Sequence, residues 1–241
     1  MEYLKKNYFS IFIICAACIG FALWLSDTVS AQPVAAVQTA PDQVIIIDAG
    51  HGGEDGGAVS CTGVNESQIN LEIALRVDDF CHLLGYSTIM LRTDDISLHD
   101  DTARTISEKK VSDLKNRVKL VNQVGNGILV SIHQNQFSES KYHGSQVFYA
   151  ATDGSQPLAE QLQDNLRAVI DPSNNRQCKK ADSVYLMSKI QCPAVLVECG
   201  FLSNAQEEAM LRDAQYQKKL AAVITCSICS YIQEESGENE I

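Results

Sequence analysis

The chain has 241 residues, 45% of them hydrophobic and 20% charged, which gives it the length and composition for one globular domain with a substantial core. Its formal charge of −11 and isoelectric point near 4.8 leave no broad basic surface, so nucleic-acid binding is set aside.

Lys5 and Lys6 precede an uncharged stretch, residues 7–26, with an apolar centre at 11–25, and Val29-Ser30-Ala31 offers small residues suited to cleavage. Residues 1–31 therefore read as a signal peptide or an N-terminal membrane anchor, both of which engage the membrane or the export machinery. The protein is expected outside the cytoplasm. Residues 32–42 read as a polar linker, 43–233 as the catalytic domain and 234–241 as an acidic tail.

The domain opens with Val44-Ile45-Ile46-Ile47-Asp48, a β-branched run that predicts a buried strand. It breaks into a glycine loop, residues 49–58, that presents His51 at the strand's end. Asn65 is placed to cap a helix reaching about residue 84, with Glu66 in its first turn. A strand over 86–91 leads to Arg92 and a polar loop through 110. Ser112-Asp113 then opens a helix with Leu114, Val118, Val121 and Val124 on one face, closed by Gly125.

Residues 127–132 predict a strand ending at His133, 145–150 another, 156–170 a helix and 171–182 a polar loop. Short strands follow at 184–187 and 194–197, the second ending at Glu198. Asn204 caps a short helix, and 214–232 forms the last one. Strands alternating with helices imply an α/β fold, a three-layer α/β/α sandwich with a mostly parallel or mixed sheet of about six strands. Three candidate site residues fall at carboxyl ends of strands, where open α/β sheets place ligands.

Nine cysteines imply no pairing, because Cys15 and Cys18 lie in the apolar N-terminal segment and the remaining seven are an odd number. Cys226 and Cys229 form a C-x-x-C inside a helical apolar pattern and read as small core residues.

Two histidines and one carboxylate leave a fourth position open on zinc, and a second glutamate can handle protons, so the residues read as a zinc hydrolase site. His82, His99 and His143 follow no strand as His51 and His133 do. Glu54 and Asp55 compete with Glu66 as the carboxylate, and spacing alone leaves that choice open. A cysteine hydrolase using Cys199 or Cys61 is a rival reading, although strand alternation turns Cys199 away from the face of Glu198. A non-catalytic fold that only binds a ligand or a partner is another.

Four motifs in order resemble the zinc-dependent N-acetylmuramoyl-L-alanine amidases of the type 3 class: D-x-G-H-G-G-x-D-x-G-A at residues 48–58, Asn65-Glu66, S-I-H-x-N at 131–135 and V-E-x-G-F-L-S-N at 197–204. The resemblance implies that His51, Glu66 and His133 bind Zn2+ and that Glu198 is catalytic. It further implies that the substrate is the amide joining N-acetylmuramic acid to L-alanine in peptidoglycan. Ala49, Gln134 and Leu91 depart from the usual family residues. Residues 110–117 and the absence of a wall-binding module look most like the compact sporulation-associated branch, which implies a role in spore cortex maturation. Only residues 136–143 stand where regulated relatives carry a blocking helix, so an open site is expected. Arg92 and Asn135 are candidate substrate-binding residues, a cation for a stem-peptide carboxylate and an amide for a peptide group. The competing reading is a surface salt bridge from Arg92 to Asp94 or Asp95 and a turn at Asn135.

Overall fold

A computed structural model describes residues 43–238. The expected signal or anchor and the linker lie outside the described residues. Among the described residues no helix is long and apolar enough to cross a membrane.

Twelve elements follow in chain order: β1 (Val44–Ala49), α1 (Glu66–Leu83), β2 (Ser87–Met90), α2 (Ile106–Asn122), β3 (Gly127–Asn135), β4 (Gln146–Tyr149), α3 (Ser155–Val169), β5 (Lys179–Lys180), α4 (Tyr185–Lys189), β6 (Ala194–Phe201), α5 (Ala205–Leu211) and α6 (Ala214–Glu238). The strands form one sheet in the order β2-β1-β3-β6-β4-β5. Neighbours pair in parallel except β4 with β6, so the sheet is mixed.

Alternation along the strands splits their side chains between two cores. Ile45, Ile47, Ile128, Val130, Ile132, Val195 and Val197 join α1, α3 and α6 on one face, whereas Ile46, Leu129, Ala194 and Leu196 meet α2 and α4 on the other. Burial on both faces explains why β1 and β3 read as continuous apolar runs. The expected α/β/α sandwich of six strands is present.

Several of the expected elements differ. Residues 184–187, expected as a strand, form the helical turn α4. Leu186, Met187 and Ile190 all enter one core, which a helical turn allows and strand alternation forbids. The sixth strand is instead the two-residue β5 within the expected polar loop. Likewise α2 starts at Ile106, not near residue 112. Thr105 accepts a hydrogen bond from the Glu108 amide at 3.2 Å, and Glu108 accepts one from the Thr105 amide at 3.0 Å, a capping box that starts the helix before its apolar face begins. At the other end of the chain, α6 runs on to Glu238 through residues expected as tail.

The end of β1 is held by a buried ionic cluster. Asp48 accepts hydrogen bonds from the Arg117 guanidinium and, at 2.6 Å, from Ser131. Arg117 also donates to Asp113 at 2.7 Å. Burial raises the Asp48 pKa, but the Arg117 charge, the Ser131 hydrogen bond and the His133 charge together outweigh it and the net shift is downward.

Arg117→Met leaves Asp48 buried without its cation, and breaking such a pair costs about 3–5 kcal/mol. Urea unfolding is expected to show that loss at neutral pH. Because the folded-state pKa of Asp48 is depressed, its contribution is full above the ordinary carboxylate value and is lost as pH falls below that value through the lowered folded one. The gap between the two proteins therefore holds down to about pH 4 and narrows below it; a gap independent of pH would refute the pairing.

Candidate active site

Three peptide segments converge at the carboxyl end of the sheet. The glycine loop after β1 carries His51, the first turn of α1 carries Glu66, and β3 carries His133. His51 Nε2 lies 3.3 Å from Glu66 Oε2, and His133 Nδ1 lies 3.0 Å from Glu66 Oε1. One ligand atom from each of the three falls within 4.8 Å of the others.

The loop geometry that brings them together is costly. His51 has φ of 63°, the only described non-glycine residue in the left-handed region. Gly50 permits the approach of β3, because a Cβ there would overlap the His133 imidazole. Gly57, at φ 70°, lies where a Cβ would come 2.6 Å from Glu66 Oε2 and 2.7 Å from His51 Cδ2.

Each candidate ligand is oriented by further hydrogen bonds. Asp55 Oδ2 lies 2.9 Å from His51 Nδ1, which leaves Nε2 to face the centre. Glu66 accepts from the Ala58 amide at 3.0 Å, the Gln134 amide at 3.1 Å and Asn70 Nδ2 at 3.2 Å. Gln134 Nε2 in turn donates to Asn70 Oδ1 at 3.2 Å, fixing which edge of the Asn70 amide faces Glu66. Burial works to raise the Glu66 pKa, yet hydrogen bonds and charge from His133 and His51 hold it far below the ordinary range. For His51, burial lowers proton affinity while Glu66 and Asp55 outweigh it, and the pKa rises.

Glu198 lies inside β6 as the register partner of His133 on β3. Paired residues on adjacent strands share a face, so its carboxylate stands beside the three-residue cluster. Burial, with Glu66 adding repulsion, pushes its pKa up to about 7 against the opposing pull of His133 and His51. Its Oε2 is buried with no hydrogen-bond partner. A buried, unpartnered carboxylate oxygen beside two imidazoles and a second carboxylate is a donor set short of a cation, and such a group fits a divalent metal ion.

The alternatives separate cleanly. Asp55 supports His51, and Glu54 is exposed and paired with Lys109. His82 contacts Asp78, His99 bonds Ser97, and His143 faces Asp171 at 3.6 Å. Cys199 is fully buried in the opposite core, its thiol pKa raised by burial, and Cys61 sits exposed in a loop. All seven described cysteines are free; Cys229 is a core residue as expected, whereas Cys226 is exposed.

Arg92 is not placed to meet a substrate. It is 2% exposed, and its Nε and Nη2 donate to the carbonyls of Ala49, Gly50 and Ser67 at 2.8–3.0 Å while Nη1 donates to Asp94 O. Neither a surface salt bridge nor a cleft cation, it is a strap across the His51 loop. Asn135 ends β3, half-buried, with its carbonyl accepting from the Leu202 amide. Residues 136–143 contain no helix, so nothing of that kind covers the cluster.

Sequence reasoning overlooked Asp55 as the partner of His51 and Asn70 and Gln134 as partners of Glu66. The signal for Asn70 was present, since Glu66 and Asn70 are one helical turn apart.

An α/β sheet with a His-Glu-His cluster at its carboxyl edge and an unpartnered glutamate alongside is an arrangement that fits a metal-dependent hydrolase. A family profile described as N-acetylmuramoyl-L-alanine amidase matches residues 45–230, and the chain belongs to that family. It is 36% identical over 199 residues to the germination-specific N-acetylmuramoyl-L-alanine amidase of Bacillus subtilis (strain 168), an alignment spanning 82% of this chain and 83% of the relative. The CwlD amidase from Clostridioides difficile, solved in complex with the GerS lipoprotein, superposes with a TM-score of 0.76 at 39% identity over 79% of this chain and 98% of that one. A second amidase, from Clostridium difficile 630, superposes at 0.69 with 29% identity over 79% of this chain and 97% of its own. The chain is thus an N-acetylmuramoyl-L-alanine amidase that is similar to the CwlD amidase in sequence and fold.

Gly50→Ala forces His133 away from the cluster. A displacement of about 1 Å at a reacting centre costs on the order of 100-fold, so the variant is expected to keep its circular dichroism spectrum and lose at least that much amidase turnover. Full activity in a folded Gly50→Ala protein would show that His133 is not held against Gly50.

Proposed function

We propose that the protein is a zinc amidase in which His51, Glu66 and His133 hold Zn2+ and Glu198 transfers the protons. The observation that carries this reading is the placement of Glu198, paired in register with His133 and retaining a buried oxygen without a partner. Zn2+ held there supplies the Lewis acidity that activates water and polarises the scissile carbonyl.

The remaining chemistry belongs to the chain. Glu198 takes a proton from the attacking water as the water oxygen bonds to the lactyl carbonyl carbon. As the C–N bond breaks, the same carboxyl gives that proton to the alanine nitrogen, which leaves as a free amine. An environment that raises carboxyl proton affinity suits a group that must first accept and then donate. Asp55 holds the His51 imidazole in one orientation, and Asn70 does the same for Glu66. Asn135, at the end of β3, serves as a substrate-facing amide.

The wider setting is part of the same proposal. Residues 1–31 export or anchor the chain, residues 32–42 tether it, and the domain from residue 43 acts on peptidoglycan outside the cytoplasm. A role in spore cortex maturation belongs to the same reading, and the germination-specific name of the Bacillus subtilis relative supports a place in the spore cycle.

Incubation with muropeptides is expected to release stem peptides bearing a free N-terminal alanine, detected by mass spectrometry. Chelation abolishes the release and Zn2+ restores it. Glu198→Gln retains bound zinc by elemental analysis and loses turnover by about 10²–10⁴-fold; near-normal turnover removes Glu198 from the chemistry.

A further inference from the structure

With Arg92 withdrawn from the cleft, another cation stands on the face that carries Glu198. We infer that Arg176 binds a free carboxylate of the stem peptide, one residue beyond the alanine whose amide is cut. The inference rests on the amidase reading above.

The sheet supplies the alignment. His133, Glu198 and Gln146 are register partners on the adjacent strands β3, β6 and β4, so their side chains form one row on one face. Gln146 Oε1 accepts a hydrogen bond from Arg176 Nη1 at 3.2 Å, which extends the row to the guanidinium. Two strand spacings of about 4.8 Å carry the row roughly 10 Å from His133 before Arg176 is reached.

The substrate has a matching length. An extended chain advances about 3.3–3.6 Å per residue and the N–Cα bond adds about 1.5 Å, so the second stem residue places its α-carbon roughly 5 Å beyond the cut and its carboxylate oxygens about 2 Å farther. In peptidoglycan that residue is a glutamate linked onward through its side chain, which leaves its α-carboxyl as a free carboxylate or a carboxamide. The row of side chains therefore leads from the proposed metal ligands to the place where that carboxyl falls.

Arg176 is also built as a receptor. Its Cζ lies 4.5 Å from the centroid of the Phe201 ring, and Phe201 is in turn packed by Phe137 and Tyr142. Nε is fixed by the His143 carbonyl at 2.9 Å. Stacking on an aromatic face leaves the in-plane edge of the guanidinium, with Nη2 and the second Nη1 proton, for a bidentate carboxylate. Whereas Arg117, Arg167 and Arg212 are each spent on a carboxylate, no carboxylate among the described residues pairs with Arg176.

Two muramyl-peptide substrates identical except for an α-carboxylate or an α-carboxamide on the second stem residue test this. Wild-type protein is expected to cleave the carboxylate form with the lower KM. Arg176→Ala raises KM for that form about 10- to 100-fold, the worth of a charge-assisted pair, with little change in kcat and no change toward the carboxamide; Arg176→Lys recovers part of the difference. Equal losses on both substrates would assign Arg176 to loop structure and overturn the inference. Should Arg176→Ala fail to fold, the wild-type comparison still decides, since equal KM values for the two substrates reject it. Cleavage of neither substrate by the wild type would instead overturn the amidase reading and take this inference with it.

Discussion

Three consecutive carbonyls, those of Ala49, Gly50 and His51, turn into the protein beneath the site, and the active centre depends on their being satisfied there. Arg117 donates to Ala49 O at 3.0 Å and His51 O at 2.7 Å; Arg92 donates to Ala49 O at 2.8 Å and Gly50 O at 3.0 Å. A left-handed histidine costs on the order of 1–3 kcal/mol and persists only when its surroundings over-determine it. Here the surroundings are two buried guanidiniums whose rigid planes each bridge more than one carbonyl. Their own desolvation is offset by Asp48, Asp113 and the carbonyls themselves, so the ionic cluster is a scaffold for one imidazole.

That arrangement explains which parts of the molecule were legible in the sequence. His51, Glu66, His133 and Glu198 stand out because glycine loops, a helix start and apolar strands are local signals; the structure gathers the first three into one cluster and pairs Glu198 in register with His133. Arg92 was legible as a cation near the site but not in its role, because which way a side chain turns after a strand depends on distant carbonyls that need a donor. Arg117 left no signal at all: on α2 it reads as one more surface charge until the end of β1 packs against it. Residues 184–187 show the same limit at the level of the fold. An apolar run that short suits either a strand or a helical turn, and the choice fell to the core receiving Leu186 and Met187 together.

The sheet contributes more than support. Both His133 and Glu198 lie within strands, not beyond them, so their separation is set by ladder hydrogen bonds. A site built on paired strands keeps its spacing while the loops around it vary, and such rigidity suits chemistry that tolerates little displacement. The register irregularity between His133 and Asn135 comes directly after His133, where β3 leaves its regular pairing with β6. Pairing is therefore regular up to the row of His133 and Glu198 and relaxed beyond it, at the carboxyl end of β3.

Charge is distributed to the same end. A net charge of −11 gives no general attraction to an anionic wall polymer, so recognition has to be local. Lys109 and Lys110 are held by Glu54 and Asp55 of the glycine loop, which turns two cations at the rim into supports for the His51 segment. Asp55 thereby joins Lys110 to His51, with 3.2 Å on one side and 2.9 Å on the other. Its carboxylate is thus stabilised in the ionised form that orients the His51 imidazole through Nδ1: burial alone would raise its pKa, and His51 and Lys110 lower it. The two lysines are thus spent on holding the His51 segment in place, whereas Arg176 keeps no carboxylate partner among the described residues.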